Sequence, residues 1–217
     1  MATHQTERER LIRAAGYVRW WPGALAFLVL GVLYALLPER LTVGPPWVPL
    51  IVVLLGLGGS RLSRLRGFML VRRYIVLAAL GIVSLAITVS AGFLIGALLE
   101  RRTDAGSLLG SAAALWVSNI LVFALLYWET DGGGPAHRHA AKRASTDFAF
   151  PQSVLAQSEV WMPEFVDYVF LAFNTSTAFS PTDTLVLARR AKALMMWQSV
   201  VSLVTIAVLA ARAINTL

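Results

Sequence analysis

Cysteine is absent from all 217 residues, which removes disulfides, thiolate metal sites and thiol nucleophiles together. Charge is scarce as well: 14% of the chain is Asp, Glu, Lys or Arg, against 57% hydrophobic residues and a mean hydropathy of +0.67. A soluble domain rarely has such a balance, so composition points to a polytopic membrane protein built as one domain. Lysine is nearly missing. Lys142 and Lys192 stand alone, and the net charge of +7 rests on arginine. A basic chain can serve nucleic acid, but no soluble domain is present to offer such a face, so the expected partner is the lipid bilayer and not nucleic acid. No cleavable leader is expected: MATHQTERERLIRAAGYVRW is polar for too long, and no small-residue cleavage site follows an apolar core of suitable length, so the first apolar segment reads as a retained helix.

The apolar segments set the expected architecture. Stretches 20–37, 47–60, 74–99, 108–128 and 194–214 can each cross at about 20 residues per span. The second is short, reaching about 21 Å, and needs Arg61 to snorkel or a thin bilayer. Trp20, Trp21, Trp47, Tyr74, Tyr127 and Trp128 fall near span ends, where amphipathic rings prefer the headgroup level. Arginine sets orientation. If the arm 1–19, the loop with Arg61 to Arg73 and the region 129–193 share the cytoplasmic side, only Arg40, Arg101, Arg102 and Arg212 of the 19 basic residues lie opposite. The reading is an all-α bundle in a bacterial inner membrane with a cytoplasmic N-terminus. It divides into the arm 1–19, four spans over 20–128, a solvated polar loop 129–162, and a last unit 163–217.

That last unit carries the distinctive residues. An apolar run, Phe165 to Phe173, is short for a span and passes into NTSTAFSPTDT, so a re-entrant half-helix is expected before the fifth span, with a full crossing by 165–179 (six spans, N-terminus still cytoplasmic) as the alternative. Non-helical backbone at membrane depth survives only where protein buries it or water reaches it. Pro163, Glu164 and Asp167 suit a helix start. Asn174, Thr175, Ser176, Thr177, Ser180 and Gln198 are the candidate lining of a cavity or pore mouth. Pro181 would force a turn, with Thr182 and Asp183 capping a helix that begins near Thr184. Gln198, Ser202 and Thr205 share a face that should turn into the bundle, as should Asn119. Ser84, Thr88, Gly92 and Gly96 form a small-residue stripe on the third span, expected to seat a neighbouring helix of the same chain or, in a homo-oligomer, another copy.

Catalytic chemistry finds no anchor. Asp131, His137 and His139 are too few to make a metal site without further ligands. Triple glycine before Pro135 ends a helix and lacks the lysine of a phosphate loop. No nucleophile elbow or acidic pair occurs. No enzyme activity, metal or cofactor is expected.

The run DYVFLAFNTSTAFSPTDTLVLARRAKAL, with YWETDGGGP and FPQ before it, resembles the signature of a bacterial integral-membrane family known only as a domain of unknown function, number 1345. The resemblance implies a multi-span membrane protein and carries no assigned activity. In layout, the half-helix, threonine-rich turn, Asp183 and last helix are also distantly similar to the two-helix pore module of potassium channels. The filter itself is not reproduced. No glycine follows Gly134, and Pro181 fixes a φ that would break a carbonyl ladder. The functional expectation is a channel- or transporter-type protein organised around 165–184, with a structural or interaction subunit as the alternative.

Overall fold

The structure, a computed structural model, describes Arg19 and residues 21–45, 47–65, 68–99, 105–141, 147–155, 161–177 and 184–214. It is mostly helical. In chain order the helices are α1 (Trp21–Ala35), α2 (Val48–Leu65), α3 (Met69–Leu99), α4 (Ala105–Thr130), α5 (Pro135–Ala141), α6 (Pro151–Leu155), α7 (Phe165–Thr177) and α8 (Arg189–Ile214). Three stretches, Leu70–Leu98, Gly106–Ala141 and Arg189–Arg212, are long and apolar enough to cross a membrane. The first apolar segment forms the shorter α1, of 15 residues. The second runs five residues beyond its expected end, because arginine and leucine are good helix formers even where hydropathy drops. At 18 residues, α2 is about 27 Å long.

Helix α4 is the centre of the bundle. Its residues from Val122 to Glu129 are all buried, because α1, α3, α7 and α8 pack around it. The outer helices differ in what they expose. On α3, Leu80, Val83, Ile87 and Leu94 face the core while Ile82, Leu85, Val89 and Phe93 are exposed. A helix apolar on every side has a hydrocarbon-like surrounding, whereas a surface helix in water would be polar on one face.

That all-round apolarity also explains a misplaced expectation. Ser84 is buried and Thr88 accepts a 2.9 Å bond from Trp197 Nε1, but Gly92 and Gly96 face open space. They seat no helix of this chain. Close approach occurs instead at Gly23, where an added Cβ would run into the Trp128 ring, and at Gly31, where it would lie 2.8 Å from a Leu50 methyl.

Ionic and aromatic contacts order the two ends. Arg72 pairs with Glu129 at 3.0 Å and Arg190 with Asp147 at 2.8 Å, and Arg19 approaches Glu164 at 3.9 Å. Arg19, the start of α3 and the region after α4 therefore share one end. At the other, Arg40 reaches Ser107 at 3.5 Å, and the Tyr34 hydroxyl meets Ser90 Oγ at 2.9 Å. Helix α7 starts against Trp128, whose ring lies 5.4 Å from that of Phe165, and ends beside Trp116, 6.0 Å from Phe173. It thus runs antiparallel to α4, away from the arginine-rich end.

The described part of 129–162 is no solvated loop. Asp131, Arg138 and Asp147 are 0%, 2% and 3% exposed, and Phe148 and Phe150 belong to the core. Strand β1 (Phe148–Ala149) pairs antiparallel with β2 (Leu185–Val186), setting Phe148 opposite Val186. Sequence reading did not anticipate this clip. The Leu187 and Ala188 amides both donate to the Asp147 carbonyl, at 2.8 and 3.3 Å, and Arg190 grips the Asp147 carboxylate with two 2.8 Å bonds.

Candidate functional site

A buried polar network forms where three helices, α4, α7 and α8, meet. Helix α8 presents Gln198, Ser202 and Thr205, all buried, on the inward face their spacing requires. Gln198 is the hub. Its Nε2 donates to the Ala172 carbonyl and to Ser176 Oγ on α7, each at 2.7 Å, and its Oε1 accepts from the Tyr127 hydroxyl on α4. The Gln198 carbonyl accepts from Asn119 Nδ2 at 3.1 Å, and the same amide group donates to Ser202 Oγ at 3.0 Å. At 1.5 Å per residue Gln198 lies roughly 14 Å along α8 from Arg189.

Not all the polar atoms of this layer are used. Among the described residues, Asn119 Oδ1, Asn174 Nδ2, Ser118 Oγ and Trp116 Nε1 are buried without a hydrogen-bond partner. The edge-on contact of Trp116 with Phe173 brings the 116–119 turn of α4 beside the end of α7 that carries Asn174. A buried polar group left unpaired costs about 1–3 kcal/mol. Each of these groups is one that a water or a small polar molecule can satisfy. No Asp, Glu, Lys or Arg is among these four.

The expected lining residues separate into groups. Asn174, Ser176 and Gln198 are buried in this layer. Thr175 and Thr177 are half-buried and return their hydroxyls to their own helix, Thr175 to the Leu171 carbonyl at 2.8 Å and Thr177 to that of Asn174 at 3.3 Å. Asn174 to Thr177 are therefore the last turn of α7 rather than non-helical backbone. Ser180, Pro181, Thr182 and Asp183 lie outside the described residues. The helix that Thr182 and Asp183 were expected to cap begins later, at Arg189, with the Ala188 carbonyl accepting the Lys192 amide at 3.1 Å. At the start of α7 the expectation holds: Asp167 reaches back to accept the Glu164 amide at 2.7 Å, the bond that the third residue of a capping box supplies.

Sequence reading missed a second network. Asp131 accepts the Tyr168 hydroxyl on Oδ2 at 2.5 Å and the Asp147 amide on Oδ1 at 2.9 Å. Arg138 lies over the Tyr168 ring, 5.2 Å from its centroid, and donates to the carbonyls of Trp128 and Asp131 at 2.9 and 2.5 Å. Asp131 is thus committed inward, while His137 sits against Gly133. No group of three His, Cys, Asp or Glu side chains among the described residues is arranged to hold a metal. Tyr127, read as a headgroup-level ring, is fully buried. Its one visible signal was helical spacing: Asn119, Phe123 and Tyr127 fall on one face of α4.

Comparison with protein-family models, curated proteins and solved structures finds no match to this chain. The resemblances drawn from DYVFLAFNTSTAFSPTDT rest on those residues alone.

Proposed function

We propose that the chain is a five-span inner-membrane protein of channel or transport type, in which Phe165–Thr177 is a re-entrant half-helix. The polar layer at its inner end would take water and small uncharged polar solutes. The observation carrying this reading is the set of unpartnered buried groups, Trp116 Nε1, Ser118 Oγ, Asn119 Oδ1 and Asn174 Nδ2. They supply hydrogen bonds without fixed charge, which suits a neutral solute better than an ion. Re-entry is supported by where the segment begins and ends. Phe165 starts beside Trp128, and Leu185 pairs with Ala149, next to Asp147 and the arginine-rich end. A closed scaffold is the second reading, favoured by Gln198, whose amide is wholly engaged in joining three helices.

Flux through proteoliposomes tests the choice. Stopped-flow light scattering with water, urea and glycerol is expected to give permeation above protein-free vesicles, without cation or anion current. Asn174→Leu should reduce that permeation severalfold and leave thermal stability unchanged or raised, because it removes an unpaired polar group. No permeation by the parent protein would leave the scaffold reading standing.

Orientation follows from the shared end of Arg19, Arg72 and Arg190, which the positive-inside rule assigns to the cytoplasm. The natural absence of cysteine makes single reporters unambiguous. Gln152→Cys should be labelled only from the cytoplasmic side and Val43→Cys only from the outside. The reverse pattern would invert the topology.

A further inference from the structure

A cleft opens at the arginine-rich end, between the start of α3 and the glycine turn after α4. Leu70, Arg72, Arg73, Glu129, Gly133 and His137 are among its walls, and its enclosed part measures about 20 Å³, room for one water or one ammonium group. Two of its charged side chains are incompletely matched. The Glu129 side chain, 3% exposed, receives Arg72 on Oε1 at 3.0 Å, while Oε2 is buried with no partner. Arg73 Nε is also buried and unpartnered.

The glycine turn holds these groups around one opening. Gly133 and Gly134 have φ of 86° and 96°, a region that side chains disfavour. Arg73 Nη1 lies 3.6 Å from where a Gly133 side chain would begin, and Glu129 Oε2 lies 3.5 Å from the equivalent point of Gly134. The orphan acceptor of Glu129 and the Arg73 guanidinium, whose Nε is the orphan donor, therefore both line the cleft beside this turn. The cleft wants a ligand that is a donor at one end and an acceptor at the other. Two arginines against one carboxylate leave a positive excess that favours an anion, and arginine suits phosphate in particular.

We propose that this cleft holds the headgroup of a phospholipid bearing a primary amine. The ammonium occupies the enclosed part and donates to Glu129 Oε2. The phosphate lies at the mouth, on Arg73 and beside His137. A quaternary ammonium offers no N–H to Glu129. A purely anionic headgroup leaves Glu129 unmatched. Exposed Leu70 borders the cleft's α3 side, with exposed Tyr74 one helical turn further on, residue types that suit an acyl chain and the headgroup level. The proposal rests on the membrane reading but not on any flux.

The test uses the purified full chain in detergent, measuring co-purified lipid and melting temperature with phosphatidylethanolamine, phosphatidylcholine, phosphatidylglycerol or soluble phosphoethanolamine added. Phosphatidylethanolamine should be retained about tenfold better than phosphatidylcholine, the discrimination expected from one charge-assisted hydrogen bond, and should raise the melting temperature. Glu129→Gln should abolish that preference. Arg73→Gln should weaken phosphatidylethanolamine retention about tenfold while leaving the lipid-free melting temperature unchanged, and it carries the test if Glu129→Gln does not fold. Equal retention of phosphatidylcholine or phosphatidylglycerol would overturn the proposal. Soluble phosphoethanolamine acting as well as the lipid would overturn the lipid as source.

Discussion

Asp131→Ala is expected to lower folding stability by about 3–5 kcal/mol, the loss typical when one member of a buried charged network is removed. The physical case has three parts. The Tyr168 hydroxyl and the Asp147 amide both lose a charged acceptor, and bonds of that kind contribute about 1.5–3 kcal/mol each. Arg138, 2% exposed, also loses the nearby negative charge that offsets its burial. Tyr168→Phe removes only one of those bonds and should cost about 1.5–3 kcal/mol. Thermal or denaturant unfolding in detergent checks the order of the two variants. If Asp131→Ala proved the milder change, the carboxylate would not be the centre of the network.

A second large effect is expected at Gln198. Gln198→Leu leaves the Tyr127 hydroxyl without its acceptor and Ser176 without a donor, and about 2–4 kcal/mol should be lost. Single interhelical hydrogen bonds in membrane bundles are often weaker, about 0.6 kcal/mol on average, but here one side chain serves three helices. The sharper signature is non-additivity. Tyr127→Phe should cost about 1–2 kcal/mol in the parent protein, yet almost nothing in the Gln198→Leu background, since removing both partners of a buried bond is nearly neutral. Strictly additive losses would mean that the two side chains do not depend on each other.

These residues also mark the limit of what the sequence revealed. The helices were legible because hydropathy reports length, and α1, α3, α4 and α8 formed where their apolar runs stood. The inward face of α8 was legible too, since three polar residues at helical spacing leave one consistent orientation. Gly92 was misread for the opposite reason. On α3 both faces are apolar, so no contrast in polarity tells the core side from the outer side. Tyr127 followed the habit of its residue type toward the headgroups, whereas its hydrogen bond to Gln198, 71 positions away, decided its place. The Asp131 network joins α4, the chain before β1 and α7, and no local pattern announces such a meeting. The β1–β2 clip consists of two residues per strand, too few for any alternation to register.

The bonds of α8 have a consequence for the order in which the molecule can be completed. Asn119 waits for Ser202, 83 positions later, and the Asp147 carboxylate waits for Arg190, 43 positions later. During synthesis α1 to α4 and the segment after them therefore emerge with an amide, a tyrosine hydroxyl and a carboxylate that have no lasting partners. Until then such groups remain open to water, to neighbouring chains or to the machinery that holds unfinished helices. Arrival of the final helix closes them almost together. A chain that lacks the C-terminal segment thus differs from the finished protein by unpaired polar atoms, and not only by length.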